Sequence, residues 1–222
     1  MSVTITTSAA DIKRWLSPAI KTAGTDDGLP VLTYVELRVR PDHVLAVSTD
    51  RFRASASRLA LRDDDKDDDL SLTTYAYAGD LSRVLHVFRP SGRFNPALRV
   101  TFTEAGVSIV DMSGLALTVA SPMIDGKGGK YPDVVSLFRE AVRRMDKGEG
   151  LSSSFGVNFL MLAELRVAIP PRETTVISAS GSDGKPWLVR FGDYYLGMVM
   201  PRREGDLEHP KPITDAWREA LA

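Results

Sequence analysis

Cysteine is absent from this chain of 222 residues. That excludes disulfides, thiol catalysis and thiolate zinc sites. Histidine is nearly absent too: His43, His86 and His209 are scattered, and no two stand at metal-ligand spacing. No apolar run approaches membrane-spanning length, and the opening MSVTITTSAAD has neither a basic nor an apolar leader segment. These features predict a soluble, cytoplasmic chain with no membrane contact. Net charge is only −1, so no global basic field announces a nucleic-acid binder. Any DNA contact must come from charge sorted onto one face. There is no GxSxG, no HExxH, no P-loop and no acid–base pair set by local spacing, so the chain does not read as an enzyme and implies no cofactor.

What is present is apolar periodicity. An apolar content of 43% suffices for one large core or two modest ones. Between Leu29 and Leu61 the alternation of Val35, Leu37 and Val39, then of Val44 and Val47, predicts short strands, with Pro41-Asp42 and Thr49-Asp50 as the turns. Before them come a strand over Val3 to Thr7 and a helix from Ala9 to about Ala23, opened by Ser8 with Asp11 three residues on. The same order returns: a strand over Leu72 to Tyr77, a helix over Asp80 to Arg89, then strands near 97–103, 107–111 and 115–121. It returns again as a strand over Ser153 to Gly156, a short helix over Asn158 to Val167, and strands near 174–180, 187–191 and 194–200, with a hairpin turn at Asp183-Gly184. Three β-α-β-β-β units predict an α+β fold with antiparallel sheets and helices on one face.

The joints between units are polar. Asp63 to Asp69 (DDDKDDD) reads as a solvated loop, and it lacks the Gly and terminal Glu of a calcium loop. Residues 124–150 read as a linker. Gly126 to Lys130 (GKGGK) lacks Walker spacing, and an amphipathic stretch through Val134, Leu137, Phe138, Ala141 and Val142 follows. The helix stripes sort charge. Ile12, Trp15, Leu16, Ala19, Ile20 and Ala23 lie opposite Lys13, Arg14 and Lys21; Leu81, Val84, Leu85 and Phe88 lie opposite Arg83, His86 and Arg89, with Arg93 just beyond. In the third helix Phe159, Leu162 and Ala163 are expected inside, with Glu164 and Arg166 outside. Such faces are ordinary solvated surface, or a phosphate-binding face that grips DNA without reading bases.

Three motifs carry a family resemblance: the run with Leu32 and Thr49-Asp50, then Tyr131-Pro132-Asp133 with Leu137, then FGVNFLMLAEL followed by YYLGMVMPRR. In this order they resemble the bacterial beta-type DNA polymerase sliding clamps, the beta subunit of DNA polymerase III. The resemblance implies residues 1–123 as a complete clamp-like domain, 124–150 as a linker with a short helix, 151–203 as half a domain, and 204–222 as a tail. In that tail Ile213, Trp217 and Leu221 form a stripe. It further implies duplex DNA as a non-specific partner of Lys13, Arg14, Lys21, Arg83, Arg89 and Arg93. A polymerase or other protein carrying a clamp-binding peptide would sit in a groove of Leu32, Thr49, Arg51, Phe52, Arg53, Ala54, Pro132, Leu137, Met198, Met200 and Pro201. On the residues alone, Met198 and Met200 also fit plain core packing.

The pattern departs in two places: Arg51 stands where the family has Gly, and Arg202 where it has an apolar residue. Three units rather than six make the usual ring unexpected and leave association of copies open. The expectation is a tethering factor on DNA or, alternatively, a non-encircling module that competes for clamp-binding peptides or binds a host clamp.

Overall fold

The computed structural model describes residues 2–26, 28–91, 93–121, 130–146, 159–168, 176–178 and 186–201. Strand β1 (Ser2–Ser8) runs directly into helix α1 (Ala9–Thr22). Ser8 keeps an extended backbone and its Oγ accepts from the Asp11 N–H at 3.2 Å, which satisfies one of the helix's open donors. Strands β2 (Tyr34–Arg40), β3 (His43–Thr49) and β4 (Arg53–Ala60) follow. The second unit is β5 (Leu72–Tyr77), α2 (Ala78–Val87), β6 (Ala97–Thr103), β7 (Gly106–Asp111) and β8 (Ala116–Ala120). Then come α3 (Val134–Asp146), α4 (Phe159–Glu164), β9 (Val176–Ser178), β10 (Trp187–Phe191) and β11 (Tyr195–Val199).

The first two units exchange their leading strands. β1 pairs antiparallel with β6, from Ser2 opposite Thr103 to Ser8 opposite Ala97, and β5 pairs with β2, from Tyr34 opposite Tyr77 to Val39 opposite Leu72. One sheet therefore has the order β1-β6-β7-β8, and the other β5-β2-β3-β4-β11-β10-β9. Neither unit can close without the other. Their apolar faces meet in one core in which Leu37, Val44, Phe102, Ile109, Leu16 and Leu81 are almost fully buried, and Trp15 meets Phe102 edge-on at 6.3 Å. Each such side chain contributes roughly 1.5–3 kcal/mol through burial. Both helices lie on this core with their polar stripes outward.

The third unit extends the larger sheet, because β11 pairs with β4 from Tyr195 opposite Ser57 to Val199 opposite Arg53. Helix α3 covers the sheet's other apolar patch: Val134, Phe138 and Ala141 are buried together with Val47, Ala54, Ala56, Leu188 and Met198. Its start is held by Asp133, whose carboxylate accepts from the Ser136 N–H at 3.2 Å, and by Tyr131, whose hydroxyl donates to the Val47 carbonyl at 3.1 Å.

Four expectations are corrected. α2 starts at Ala78 rather than Asp80 and ends at Val87, because β5 leads straight into the helix with no intervening loop. Leu137 is not part of the buried stripe of α3; it is 55% exposed, since the helix settles with Val134, Phe138 and Ala141 inward. In the third unit Ala163 is exposed, and Glu164 turns toward α1. α4 ends at Glu164 and tightens into a 3-10 turn over Leu165–Ala168, so Leu165 and Ala168, three apart, are the buried residues, and Leu162 packs half-buried against their cluster as expected. The expected strand over 153–156, the Asp183-Gly184 turn, Gly126 to Gly129 and the tail from Glu204 lie outside the described residues.

Candidate nucleic-acid and partner interface

Lys13, Arg14 and Lys21 all project from the exposed stripe of α1, and Arg83 and Arg89 from α2 and its end, with Arg93 in the loop beyond. The two helices pack side by side, so these cations share one side of the molecule. Their charge is smaller than the count suggests. Arg14 pairs with Asp11 at 3.0 Å, Arg83 with Asp80 at 2.6 Å, and Lys21 with Glu164 at 3.5 Å. Among the described residues, Lys13, Arg89 and Arg93 make no ion pair. They are therefore the cations most available to a phosphate.

Both ends of α1 are tied to the third unit. Arg14 lies 5.5 Å from the ring centroid of Tyr194, in the turn between β10 and β11. A cavity of about 290 Å³ opens beside this contact, with Arg58, Arg62 and Asp193 in its wall. At the other end Glu164 binds both Lys21 and Arg53, and Arg53 also donates from Nη2 to the Lys21 carbonyl at 3.2 Å. Sequence reasoning missed Glu164 and Tyr194, since no periodicity signals a contact between units. The Asp50–Arg53 pair at 2.8 Å, three residues apart across the turn before β4, was not read from the sequence either.

The expected groove residues fall into three sets. Ala54 and Met198 are 5% and 3% exposed beneath α3, and Leu32 and Thr49 are also buried, so these four present almost no surface. Arg53 is engaged by Asp50 and Glu164 and serves the junction between units. The third set is open. Phe52 is 52% exposed and Met200 38%, and they are adjacent because the Met200 N–H donates to the Phe52 carbonyl at 2.7 Å. Pro201 is half-buried beside them, and Pro132 half-buried at the start of α3. Leu137 is exposed on that helix, and nothing described joins it to the Phe52–Met200 pair.

Arg51 begins this rim at φ +81°, with its guanidinium 5.6 Å from the Phe52 ring centroid. Only glycine takes that backbone freely. The turn is held nonetheless, as Asp50 Oδ1 accepts from the N–H groups of Phe52 (3.0 Å) and Arg53 (2.9 Å).

Beneath α3 lies a buried polar knot. Glu36 is 3% exposed and pairs with Arg38 at 3.1 Å, and Arg38 reaches Asp133 at 3.7 Å. Burial, reinforced by the Glu36 charge, pushes the Tyr131 phenol far above its ordinary range, and the Tyr75 phenol also rises. A hydrogen bond from Ser136, chiefly, holds Asp133 below the usual carboxylate range. Among the described residues no three His, Asp or Glu side chains converge as metal ligands, and no helix is long and apolar enough to cross a membrane.

Against solved structures the chain superimposes on a DNA polymerase sliding clamp from Bacillus subtilis with a TM-score of 0.66 at 16% identity, covering 91% of this chain and 64% of that one. The fold is that of the bacterial DNA polymerase sliding clamps. A ligand-bound sliding clamp from Pseudomonas aeruginosa gives 0.69 at 14% identity (90% of this chain, 66% of that one). The DNA polymerase III beta subunit from Thermotoga maritima gives 0.66 at 15% (90% and 65%). The chain thus spans slightly less than two thirds of the length of such clamps. No protein-family model and no curated protein matches the sequence. The mixed architecture of antiparallel sheets and few helices agrees with the clamp fold expected from the three ordered motifs, except that α3 lies on the opposite face of the larger sheet from α1, where a single helical face was expected.

Proposed function

We propose that the protein is a non-enzymatic, clamp-like tethering factor. It contacts duplex DNA without sequence preference through the α1–α2 face, and it holds a polymerase or another replication or repair protein by a short peptide at the Phe52–Met200 rim. The observation that carries this reading is the side-by-side placement of two cationic helix stripes in a clamp fold. Lys13, Arg89 and Arg93 are the first phosphate contacts, because the other three cations already hold carboxylates. The peptide reading rests on an exposed aromatic and an exposed thioether joined by one backbone hydrogen bond. Ala54 and Met198 join that surface only if α3 lifts.

The test is duplex binding as a function of salt. The double variant Lys13→Glu, Arg89→Glu should weaken binding about tenfold or more, and each cation removed should lower the salt slope by about one. Glu164→Ala frees Lys21 and should raise the slope by about one. No duplex binding at low salt, or binding indifferent to the double variant, defeats the DNA half of the proposal. A clamp-binding peptide that still binds after Phe52→Ala with Met200→Ala defeats the other half.

The ion pairing of Arg14, Lys21 and Arg83 favours one second reading, a non-encircling module that competes for clamp-binding peptides or binds a host clamp. Peptide binding by a chain that fails to bind DNA would select it.

A further inference from the structure

The cavity of about 290 Å³ beside the Arg14–Tyr194 contact takes only Arg14 from the DNA face and nothing from the peptide rim. Four segments meet around it: the end of β1, the first turns of α1, the end of β4 with Arg62 just beyond, and the turn between β10 and β11. Three guanidinium groups stand in its wall, those of Arg14, Arg58 and Arg62, together with the buried ring of Trp15. The wall holds two carboxylates, Asp11 and Asp193.

That wall is held by its own bonds. Asp11 accepts from the Ser8 hydroxyl at 2.7 Å and from Arg14 Nη2 at 3.0 Å. The Asp42 carboxylate accepts from Arg58 Nη2 at 2.6 Å, and the Asp42 carbonyl accepts from the Leu61 N–H at 2.9 Å, next to Arg62. The Arg58 N–H donates to the Tyr194 carbonyl at 2.7 Å, which seats the β10–β11 turn on β4. These bonds place the guanidinium groups without exhausting them. A guanidinium carries several N–H donors in a fixed fork, and the pairs with Asp11 and Asp42 each engage one nitrogen. Among the described residues Arg62 makes no ion pair, and Asp193 pairs with none of the three arginines that share its cavity.

We propose that this cavity binds a small phosphorylated compound, holding its phosphate on Arg14, Arg58 and Arg62. The planar fork of a guanidinium matches two phosphate oxygens at once, and these charge-assisted bonds are stronger than neutral ones. A phosphate has enough oxygens to engage all three forks together. Size limits the rest of the ligand. A volume of about 290 Å³ lies at the lower end of ligand sites, and it admits phosphate, diphosphate or a nucleoside monophosphate. A duplex is far too wide to enter, so the site is separate from the phosphate contacts on the α1–α2 face. Asp193 opposes the anion, and its charge keeps the affinity modest. The site does not rest on the DNA or peptide contacts proposed above, and its failure would leave them standing.

The test is calorimetric titration and thermal melting of the full chain with inorganic phosphate, pyrophosphate and a deoxynucleoside monophosphate. Each is compared with sodium chloride at equal ionic strength. At least one should bind with a Kd below about 1 mM and raise the melting temperature as its concentration rises. Arg62 and Asp193 are both exposed and lie outside the DNA and peptide sets, so their variants should keep the circular dichroism of the fold. Arg62→Gln should weaken binding about tenfold, and Asp193→Asn should strengthen it about threefold or more. The Lys13→Glu, Arg89→Glu variant should bind the phosphate compounds as the parent chain does. No binding of any of the three up to about 20 mM, or binding that Arg62→Gln and Asp193→Asn both leave unchanged, would overturn the proposal. So would a chain that binds a terminally phosphorylated oligonucleotide but none of the small compounds.

Discussion

The surroundings of β4 and β8 show what one strand position becomes when its neighbour is present or absent. β4 is hemmed in by β3, β11, α1 and α3, and its run of Ala54, Ser55, Ala56 and Ser57 is buried. Small residues are needed there, because Ser48 Oγ and Ser55 Oγ meet at 3.0 Å inside the structure and Trp15 Nε1 donates to the Ser57 carbonyl at 3.1 Å. In β8 only Val119 is buried, and the outward residues are exposed. The two strands come from units of the same order, yet one lies within a seven-stranded sheet and the other ends a sheet of four. Tertiary context, rather than the unit itself, decides which strand is interior.

The comparison can be broken first on the filled side. Phe138 is 4% exposed and pins α3 over β4 and β11. Phe138→Ala should cost about 3–5 kcal/mol in urea unfolding. It should also raise hydrogen exchange at β11 while β1, β6 and β7 stay protected; uniform loss of protection would mean that the two regions do not differ in stability.

The next largest effect falls on the open side. Gly106 has φ +140°, and a Cβ there would lie 2.1 Å from the Val119 carbonyl oxygen on β8. Gly106→Ala should destabilise the β7–β8 hairpin by roughly 1–3 kcal/mol. Thermal unfolding followed at β8 checks it, with β4 little changed.

Alkaline titration separates the regions without mutation. The Tyr131 phenol stays protonated in the fold above its ordinary value of about 10, whereas the unfolded chain releases that proton. The unfolded state then binds fewer protons, so this contribution is complete below pH 10 and falls as pH rises beyond it, by about 1.4 kcal/mol per pH unit. Tyr131 lies under α3, so the β4 side should open first as pH is raised, and amide exchange above pH 10 would show it. Tyr131→Phe should blunt the dependence.

The smallest change sharpens the rim. Arg51→Gly removes the side-chain cost of a positive φ and should stabilise the turn by up to about 1 kcal/mol, less whatever the contact with Phe52 contributed. A lower melting temperature would mean that the guanidinium contact outweighs the backbone strain.

Much of this was legible in residues 1–121, and further on the strands expected near 187–191 and 194–200 are β10 and β11. Alternation placed β2, β3, β6 and β7 to within a residue or so, and Ser8 with Asp11 fixed the start of α1, whereas Arg51 and Phe52, expected in the third strand of the run, form the turn before β4. Charge on α1 and α2 marked a face, but only coordinates show Arg14, Lys21 and Arg83 to be paired, because two of their acids are local and Glu164 is more than a hundred residues away. Met198 was ambiguous between groove and core, and the docking of α3 places it in the core.

By itself, the sequence determined the repeated units, their order and the apolar stripe of each helix, because those depend on periods of two and 3.6 residues that any local window contains. The family resemblance alone put a glycine at position 51, and the φ of +81° in the structure gives the reason an arginine is costly there. Tertiary structure alone decided that β1 and β5 change places, that β11 closes β4, that α3 seals Ala54 and Met198, and that β8 ends its sheet among the described residues. Those outcomes depend on pairing between segments far apart in the chain, where hydrogen-bond geometry and the burial of shared apolar faces choose among partners of similar local pattern.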